Sequence, residues 1–227
     1  MSHPDSLAVP NGFRVERGLL WPAMDQHCAK VIFDTQKDLE VALRYVSSFD
    51  ACVQAGGNCG VWPRALAAKF RHVYTAEPHP INFTALAWNT AHLPNVVRLQ
   101  CAFGNERGSV RLHLADDESA NCGAYFVADD GHIPTLRIDD LGLQSCGLIY
   151  LDVEGYEMKA LQGAEATIRS CRPAIVFEDK GLSKKYGARR GDCEKWLMSA
   201  FDYVVTERVR RDVILVHASR TAADATP

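Results

Sequence analysis

Between residues 51 and 217, short apolar runs alternate with stretches whose apolar positions recur at helical spacing. Segments 51–55, 72–76 and 95–101 read as strands. The segments between them, about 61–70 and 82–91, read as helices, the second with Phe83, Leu86 and Ala87 on one face. A further apolar run, 147–153, leads into a helix over 157–169 that Gly163 divides, with Met158, Leu161 and Ala164 inward. Then come a strand over 174–178, a helix over 192–200, and strands over 203–206 and 213–217 joined tightly enough for an antiparallel hairpin. Strand–helix alternation at this spacing predicts an α/β domain: a parallel sheet covered by helices on both faces.

Other stretches depart from the alternation. Residues 1–12 read as a loose tail. Residues 13–50 form a small N-terminal addition, with an apolar entry (Phe13, Val15, Leu19, Leu20, Trp21, Pro22) and a helix over 36–46 carrying Leu39, Ala42, Leu43 and Val46. This helix either covers an open edge of the domain or lines its pocket. Residues 109–114 alternate as an added strand, 115–130 are polar and long for a connection, and 135–138 are short and extended before a helical turn at Asp139-Asp140. Residues 218–227 read as a disordered tail, leaving 51–217 as the main domain.

The composition is that of a globular chain: 227 residues, 47% hydrophobic and 23% charged. A net charge of −3 speaks against a generic nucleic-acid coat and leaves room for a local basic patch. The eight cysteines are scattered without a C-x-x-C pair, which favours free buried thiols over zinc or disulfides and suits a reducing cytoplasm. No signal peptide and no apolar run of membrane-spanning length are read, so no membrane partner is expected.

The chemistry gathers where the strands end, which is where an open parallel sheet binds ligands. After the first strand come Gly56, Gly57, Asn58, Cys59 and Gly60; after the second, Glu77; after the third, Cys101, Ala102 and Phe103; after the fourth, Asp152 and Glu154; after the fifth, Glu178, Asp179 and Lys180. A carboxylate such as Glu77, about 20 residues past a glycine turn, suits a ribose diol. The glycine order is G-x-x-x-G rather than G-x-G-x-x-G, which favours a cofactor without a pyrophosphate and disfavours NAD. Asp152 and Glu154 share a side if their strand continues, and two carboxylates in one cleft can divide into a base and a positioning group, or bind a cation.

Gly56–Gly60, Ala76-Glu77-Pro78-His79-Pro80 with Asn82-Phe83, Ile138-Asp139-Asp140-Leu141, Leu151-Asp152-Val153-Glu154-Gly155 with Glu157, Leu161, Gly163 and Ala164, and Arg172-Pro173 before the strand ending at Glu178 together resemble the FkbM-type class I S-adenosylmethionine-dependent methyltransferases. The resemblance covers about residues 50–180. It implies a Rossmann-like, seven-stranded sheet whose last strand is antiparallel, and methylation of a hydroxyl on a sugar, metabolite or similar acceptor. By position, Gly56, Gly57, Asn58 and Gly60 hold the methionine part of the cofactor, Glu77 the ribose, and Cys101, Ala102 and Phe103 border the adenine. Gln54, Cys59, Pro78, Asn82 and Asp152 complete the implied cofactor set. The family usually has an acid where this chain has Gln54, and often a lysine before Asp-Val-Glu-Gly, where Tyr150 and Leu151 stand here.

An alcohol needs its proton removed to attack a sulfonium methyl in line. Candidate bases are Asp152, Glu154 and His79, with Glu178 positioning. A divalent metal among Asp152, Glu154 and Glu178 suits the oxygen ligands, and nothing in the sequence requires it. The run after the fourth strand lacks the Asn/Asp-Pro-Pro-aromatic pattern of base-amino methylation, which favours oxygen as acceptor. The basic groups within 184–190 and 208–211 keep nucleic acid as an alternative acceptor, and Gln54 keeps open a non-catalytic binding module.

Overall fold

The computed structural model describes residues 8–115 and 118–221. The expected tails at 1–7 and 222–227 and the acidic pair at 116–117 lie outside the described residues. The chain begins with a hairpin, β1 (Phe13–Glu16) and β2 (Leu19–Pro22), where the sequence shows only an apolar entry. Helix α1 (Cys28–Thr35), a 3-10 turn (Gln36–Asp38) and α2 (Leu39–Leu43) follow. Helix therefore starts eight residues before the expected 36, because the Asp25 carboxylate accepts the N–H groups of Cys28 and Ala29 at its start.

Strands and helices then alternate: β3 (Ala51–Ala55), α3 (Val61–Ala67), β4 (His72–Ala76), α4 (Pro80–Thr90) and β5 (Val96–Leu99). Next come β6 (Ala102–Phe103), β7 (Gly108–Leu114) and β8 (Tyr125–Leu136). The second half holds β9 (Leu148–Leu151), α5 (Glu157–Gln162), α6 (Glu165–Cys171), β10 (Ala174–Glu178), α7 (Asp192–Phe201), β11 (Tyr203–Val209), β12 (Asp212–His217) and α8 (Ala218–Thr221). The expected tail thus opens with a helical turn.

The main sheet has seven strands in the order β11-β12-β10-β9-β3-β4-β5. From β5 to β10 every pair is parallel, and β12 runs antiparallel to both β10 and β11. Strand order reverses beside β3, so β3 and β9 leave a crevice at their carboxyl ends. Alternate residues serve opposite faces. Val53, Ile149 and Ile175 pack with Leu161, Ile168 and Leu197, while Cys52, Leu148 and Val176 pack with Leu43, Leu66 and Phe70. Burial on both faces explains why these strands read as unbroken apolar runs. The helix expected over 36–46 packs on a face of the sheet, and the cleft is lined by the helix before it. Leu39, Ala42 and Leu43 of α2 enter the core, and Cys28, Val31 and Ile32 of α1 line a cleft.

A second sheet, β6-β8-β7, flanks the crevice. The end of the polar stretch read as a connection, from Tyr125 on, belongs to the strand β8, antiparallel to β7. Its pattern is hidden by a register shift: Val110 faces Ile133 while Arg111 faces Ala128, so 129–132 loop out of the ladder. A Cβ on Gly131 would stand 2.3 Å from the Val110 carbonyl oxygen, so the looped segment closes over the backbone of β7.

Candidate active site

The glycine turn is bolted to its neighbours through the backbone. Gly56 and Gly57 both donate their N–H to the Ala76 carbonyl at the end of β4, at 3.0 and 2.9 Å. Gly56 has φ +81°, and a Cβ there would lie 1.9 Å from the Asp152 carbonyl oxygen. Only glycine lets β3 and the end of β9 approach so closely. Asn58 is also left-handed, at φ +44°, and its Oδ1 accepts the Cys59 N–H at 2.7 Å.

Glu77 sits beneath this turn. One carboxylate oxygen accepts the Asn58 N–H at 2.7 Å and the other the His79 N–H at 2.8 Å. The residue is 6% exposed, and burial pushes its carboxyl up to about 7. Gln54 is fully buried behind the turn. Its amide donates to the carbonyls of Ala55 (3.1 Å) and Gly56 (2.9 Å), and its oxygen accepts the Thr75 hydroxyl at 2.6 Å. The expected ligand contact at Gln54 is corrected by this geometry: the side chain braces the turn from behind and does not face the cleft.

In front of the turn a cleft encloses about 1020 Å³, open solvent at its mouth included. Of the sequence-expected residues, Gly56, Asn58, Glu77, Pro78, Asn82, Cys101, Ala102, Phe103, Asp152 and Glu154 line it. Gln54, Gly57, Cys59, Gly60, His79 and Glu178 do not. Asn82 donates to the Cys122 carbonyl at 2.7 Å and its buried Oδ1 has no hydrogen-bond partner. His79, a candidate base, stacks on Tyr125 with ring centroids 3.9 Å apart, and its Nδ1 is buried without a partner. Burial lowers its pKa, and it lies off the cleft wall. Trp62 is 6% exposed and stacks on Tyr150 at 5.1 Å, a core role with one edge at the cleft.

At the far end of the cleft three carboxylates converge. Oxygen atoms of Asp152, Glu154 and Glu178 lie within 4.8 Å of one another. β9 ends at Leu151, so continuation of the strand does not bring them together. Glu154 is left-handed at φ +51°, and this turn swings its side chain back. The Lys180 ammonium stands 2.5 Å from Glu178, 2.9 Å from Glu154 and 4.0 Å from Asp152. Burial works against the Lys180 charge, but the three acids outweigh it and hold it protonated. Burial and the Asp152 charge push the Glu178 carboxyl up, against the pull of Lys180. Asp152 is the most open of the three, with a side chain 40% exposed and an Oδ1 free of hydrogen bonds.

The sequence reading did not single out Lys180, although it noted that residue after the fifth strand. It also missed the wall facing the sheet: Leu112 of β7, Tyr125 and Val127 of β8, and Tyr156. Only the alternation of Tyr125 and Val127 signals that wall, and the register shift truncates it.

A family model described as the methyltransferase FkbM domain matches residues 54–205. The chain belongs to the FkbM methyltransferase family. A hexuronic acid methyltransferase, AglP, of Haloferax volcanii is 24% identical over 156 residues, covering 66% of this chain and 64% of that relative. The crystal structure of a methyltransferase FkbM from Methylobacillus flagellatus matches with a TM-score of 0.50 at 21% identity, over 74% of this chain and 43% of that one. The chain thus spans under two-thirds of the length of either. This FkbM-family chain carries the class I, Rossmann-like fold. Among the described residues, no helix is long and apolar enough to cross a membrane.

Proposed function

We propose that the chain transfers a methyl group from S-adenosylmethionine to a hydroxyl of a small molecule or glycan. The observation that carries this reading is Glu77. It is a buried carboxylate tied to the glycine turn and opening onto the cleft, where it can accept the two hydroxyls of a ribose. The unpartnered Oδ1 of Asn82 gives the same wall a second acceptor awaiting a donor. Cys101, Ala102 and Phe103 offer a buried apolar edge for an adenine. The family membership supports the same cofactor.

S-adenosylmethionine supplies an electrophilic methyl on a sulfonium. The residues of this chain do the rest. The turn from Gly56 to Gly60 and Glu77 fix the donor, and the wall from Leu112, Tyr125, Val127 and Tyr156 excludes water and orients the acceptor. Asp152 takes the acceptor's proton, since its side chain is the most exposed of the three acids. Lys180, paired with Glu154 and Glu178, offsets the charge of the cluster. The hexuronic acid in the name of the Haloferax volcanii relative supports a sugar-type acceptor. We place the methyltransferase unit at 51–217, with 1–50 as an addition whose helix α1 helps close the cleft, and the reaction in a reducing cytoplasm, which the free thiols favour.

Calorimetry with S-adenosylhomocysteine tests the donor site: saturable heat with the wild type, and a loss with Glu77→Ala. No heat from the wild type overturns the reading. A screen of sugar, metabolite and RNA acceptors with a labelled methyl donor then identifies the acceptor. Label found only in RNA selects the nucleic-acid alternative, and donor binding without transfer to any acceptor selects the binding module.

A further inference from the structure

Beside the cleft, two free thiols from distant segments come together: Cys28 at the start of α1 and Cys122 in the connection before β8. Their sulfurs lie within 4.8 Å of each other in one buried cluster. Asp25 holds the two segments in place. Its Oδ1 accepts the N–H of both Cys28 (3.0 Å) and Cys122 (3.1 Å), and its Oδ2 accepts Trp21 Nε1 (2.8 Å) and the Ala29 N–H (3.0 Å). The two backbones therefore meet on a single oxygen atom, and side-chain rotation can bring the sulfurs to bonding distance. Cys28 lines the cleft, whereas Cys122 does not. Asn58 of the glycine turn touches both sulfurs: its Nδ2 donates to Cys28 Sγ at 3.5 Å, and its Oδ1 accepts the Cys122 S–H at 3.8 Å.

We propose that Cys28 and Cys122 form a reversible thiol-modification site, which reacts with a small-molecule disulfide of the glutathione type and closes to an intramolecular disulfide. The cleft admits the reagent to Cys28. The Cys28 thiolate attacks one sulfur of the reagent; the reagent's S–S bond breaks, and its other half leaves as a thiol carrying the Cys28 proton. Cys122 then attacks the Cys28 sulfur of this mixed disulfide. The Cys28–Cys122 bond forms, and the second half of the reagent leaves as a thiol carrying the Cys122 proton. The protein gives up two electrons and two protons, and the reagent is reduced to two thiols. The Cys122 thiol alongside and burial push the Cys28 thiol well up, so thiolate is scarce and closure is slow. Closure acts on the cleft. It removes the S–H that Asn58 Oδ1 accepts. A Cβ on Gly123 would stand 2.8 Å from Cys28 Sγ, so the residue after Cys122 is packed against the sulfur that moves. Asn58 and Gly123 both line the cleft, and the Asn58 N–H is the one held by Glu77. Weaker binding of S-adenosylhomocysteine by the oxidised chain follows, and this consequence rests on the proposed donor site.

The test incubates the folded full chain with oxidised glutathione, blocks the remaining thiols with N-ethylmaleimide and maps the cysteines by mass spectrometry. The expected product is lighter by two hydrogen atoms before blocking, carries a Cys28–Cys122 crosslink with every other cysteine blocked, and returns to the free thiols with dithiothreitol. Cys122→Ser stops with glutathione on Cys28, and Cys28→Ser leaves Cys122 unmodified. No crosslink in the wild-type chain overturns the proposal, as does a first crosslink that joins any other pair. The wild-type map alone decides the case if a variant fails to fold. Calorimetry with S-adenosylhomocysteine on the reduced and oxidised chains reads the coupling: binding about tenfold weaker after closure, the loss of one hydrogen bond at Asn58. Equal affinity of the two forms overturns the coupling. No heat from either form overturns the donor reading, and the crosslink map still decides the modification site.

Discussion

Gly56 and Asp152 meet backbone to backbone: a Cβ on Gly56 would stand 1.9 Å from the Asp152 carbonyl oxygen. The glycine turn and the proposed base are therefore registered by a contact that no side chain can enter. Gly56→Ala must open this contact and also hold φ +81° with a Cβ. We expect a loss of about 2–4 kcal/mol in denaturant unfolding, and no heat with S-adenosylhomocysteine under conditions where the protein stays folded. A variant that melts and binds like the wild type would show that the turn relaxes freely.

Glu77 links pH to stability with a definite sign. Burial raises its carboxyl from 4.5 to about 7, so the folded chain holds a proton that the unfolded chain releases. Its contribution is complete below about 4.5 and is lost as pH rises through about 7, by at most roughly 3 kcal/mol. Glu157, also raised to about 7 by burial, acts in the same window. The comparison that isolates Glu77 is wild type against Glu77→Gln: the fall in melting temperature from pH 5 to 8 becomes shallower in the variant. Affinity for S-adenosylhomocysteine moves the opposite way in the wild type, rising through pH 7 as the carboxylate forms.

Gln54→Glu restores the acid that the family usually carries, and here it should harm the fold. A carboxylate at this position faces the carbonyls of Ala55 and Gly56 at the places where the amide now donates. Full burial leaves it no water. Thermal and denaturant unfolding at pH 8 should show a loss of about 2–4 kcal/mol, much reduced at pH 5, where the protonated acid can donate again. Equal stability at both pH values would mean that the side chain turns elsewhere.

Lys180→Met strands three carboxylates that now share one ammonium. The groups are partly exposed, so the expected cost is about 1–3 kcal/mol rather than that of a fully buried pair. Adding Glu178→Gln to the same chain removes one acid and should recover most of the loss. A double-mutant cycle with no coupling between 178 and 180 would contradict the bridge.

The sequence made the core of this fold legible because its strands are buried on both faces. The bounds of β3, β4 and β10 follow from apolar runs alone. Gly163 divides the helix pair α5 and α6 as the pattern suggests. What stayed hidden depends on tertiary contacts. The strand β8 is masked by its register shift, and α1 by a start signal, Asp25, that acts from three residues away. Asp152 and Glu154 do converge, but through the left-handed turn at Glu154 instead of the strand period.

The place of β12 in the sheet sets an order for folding on the ribosome. It is the last strand to be synthesised among the described residues, yet it pairs on both edges, between β10 and β11. Until it emerges, β10 presents a bare hydrogen-bonding edge to the cell. Strands β3, β4 and β5, with the glycine turn and Glu77, need nothing from it. The half of the sheet that carries the glycine turn can therefore form early on a growing chain, while the other half waits for Asp212 to reach the Tyr150 hydroxyl at 2.8 Å and close the sheet.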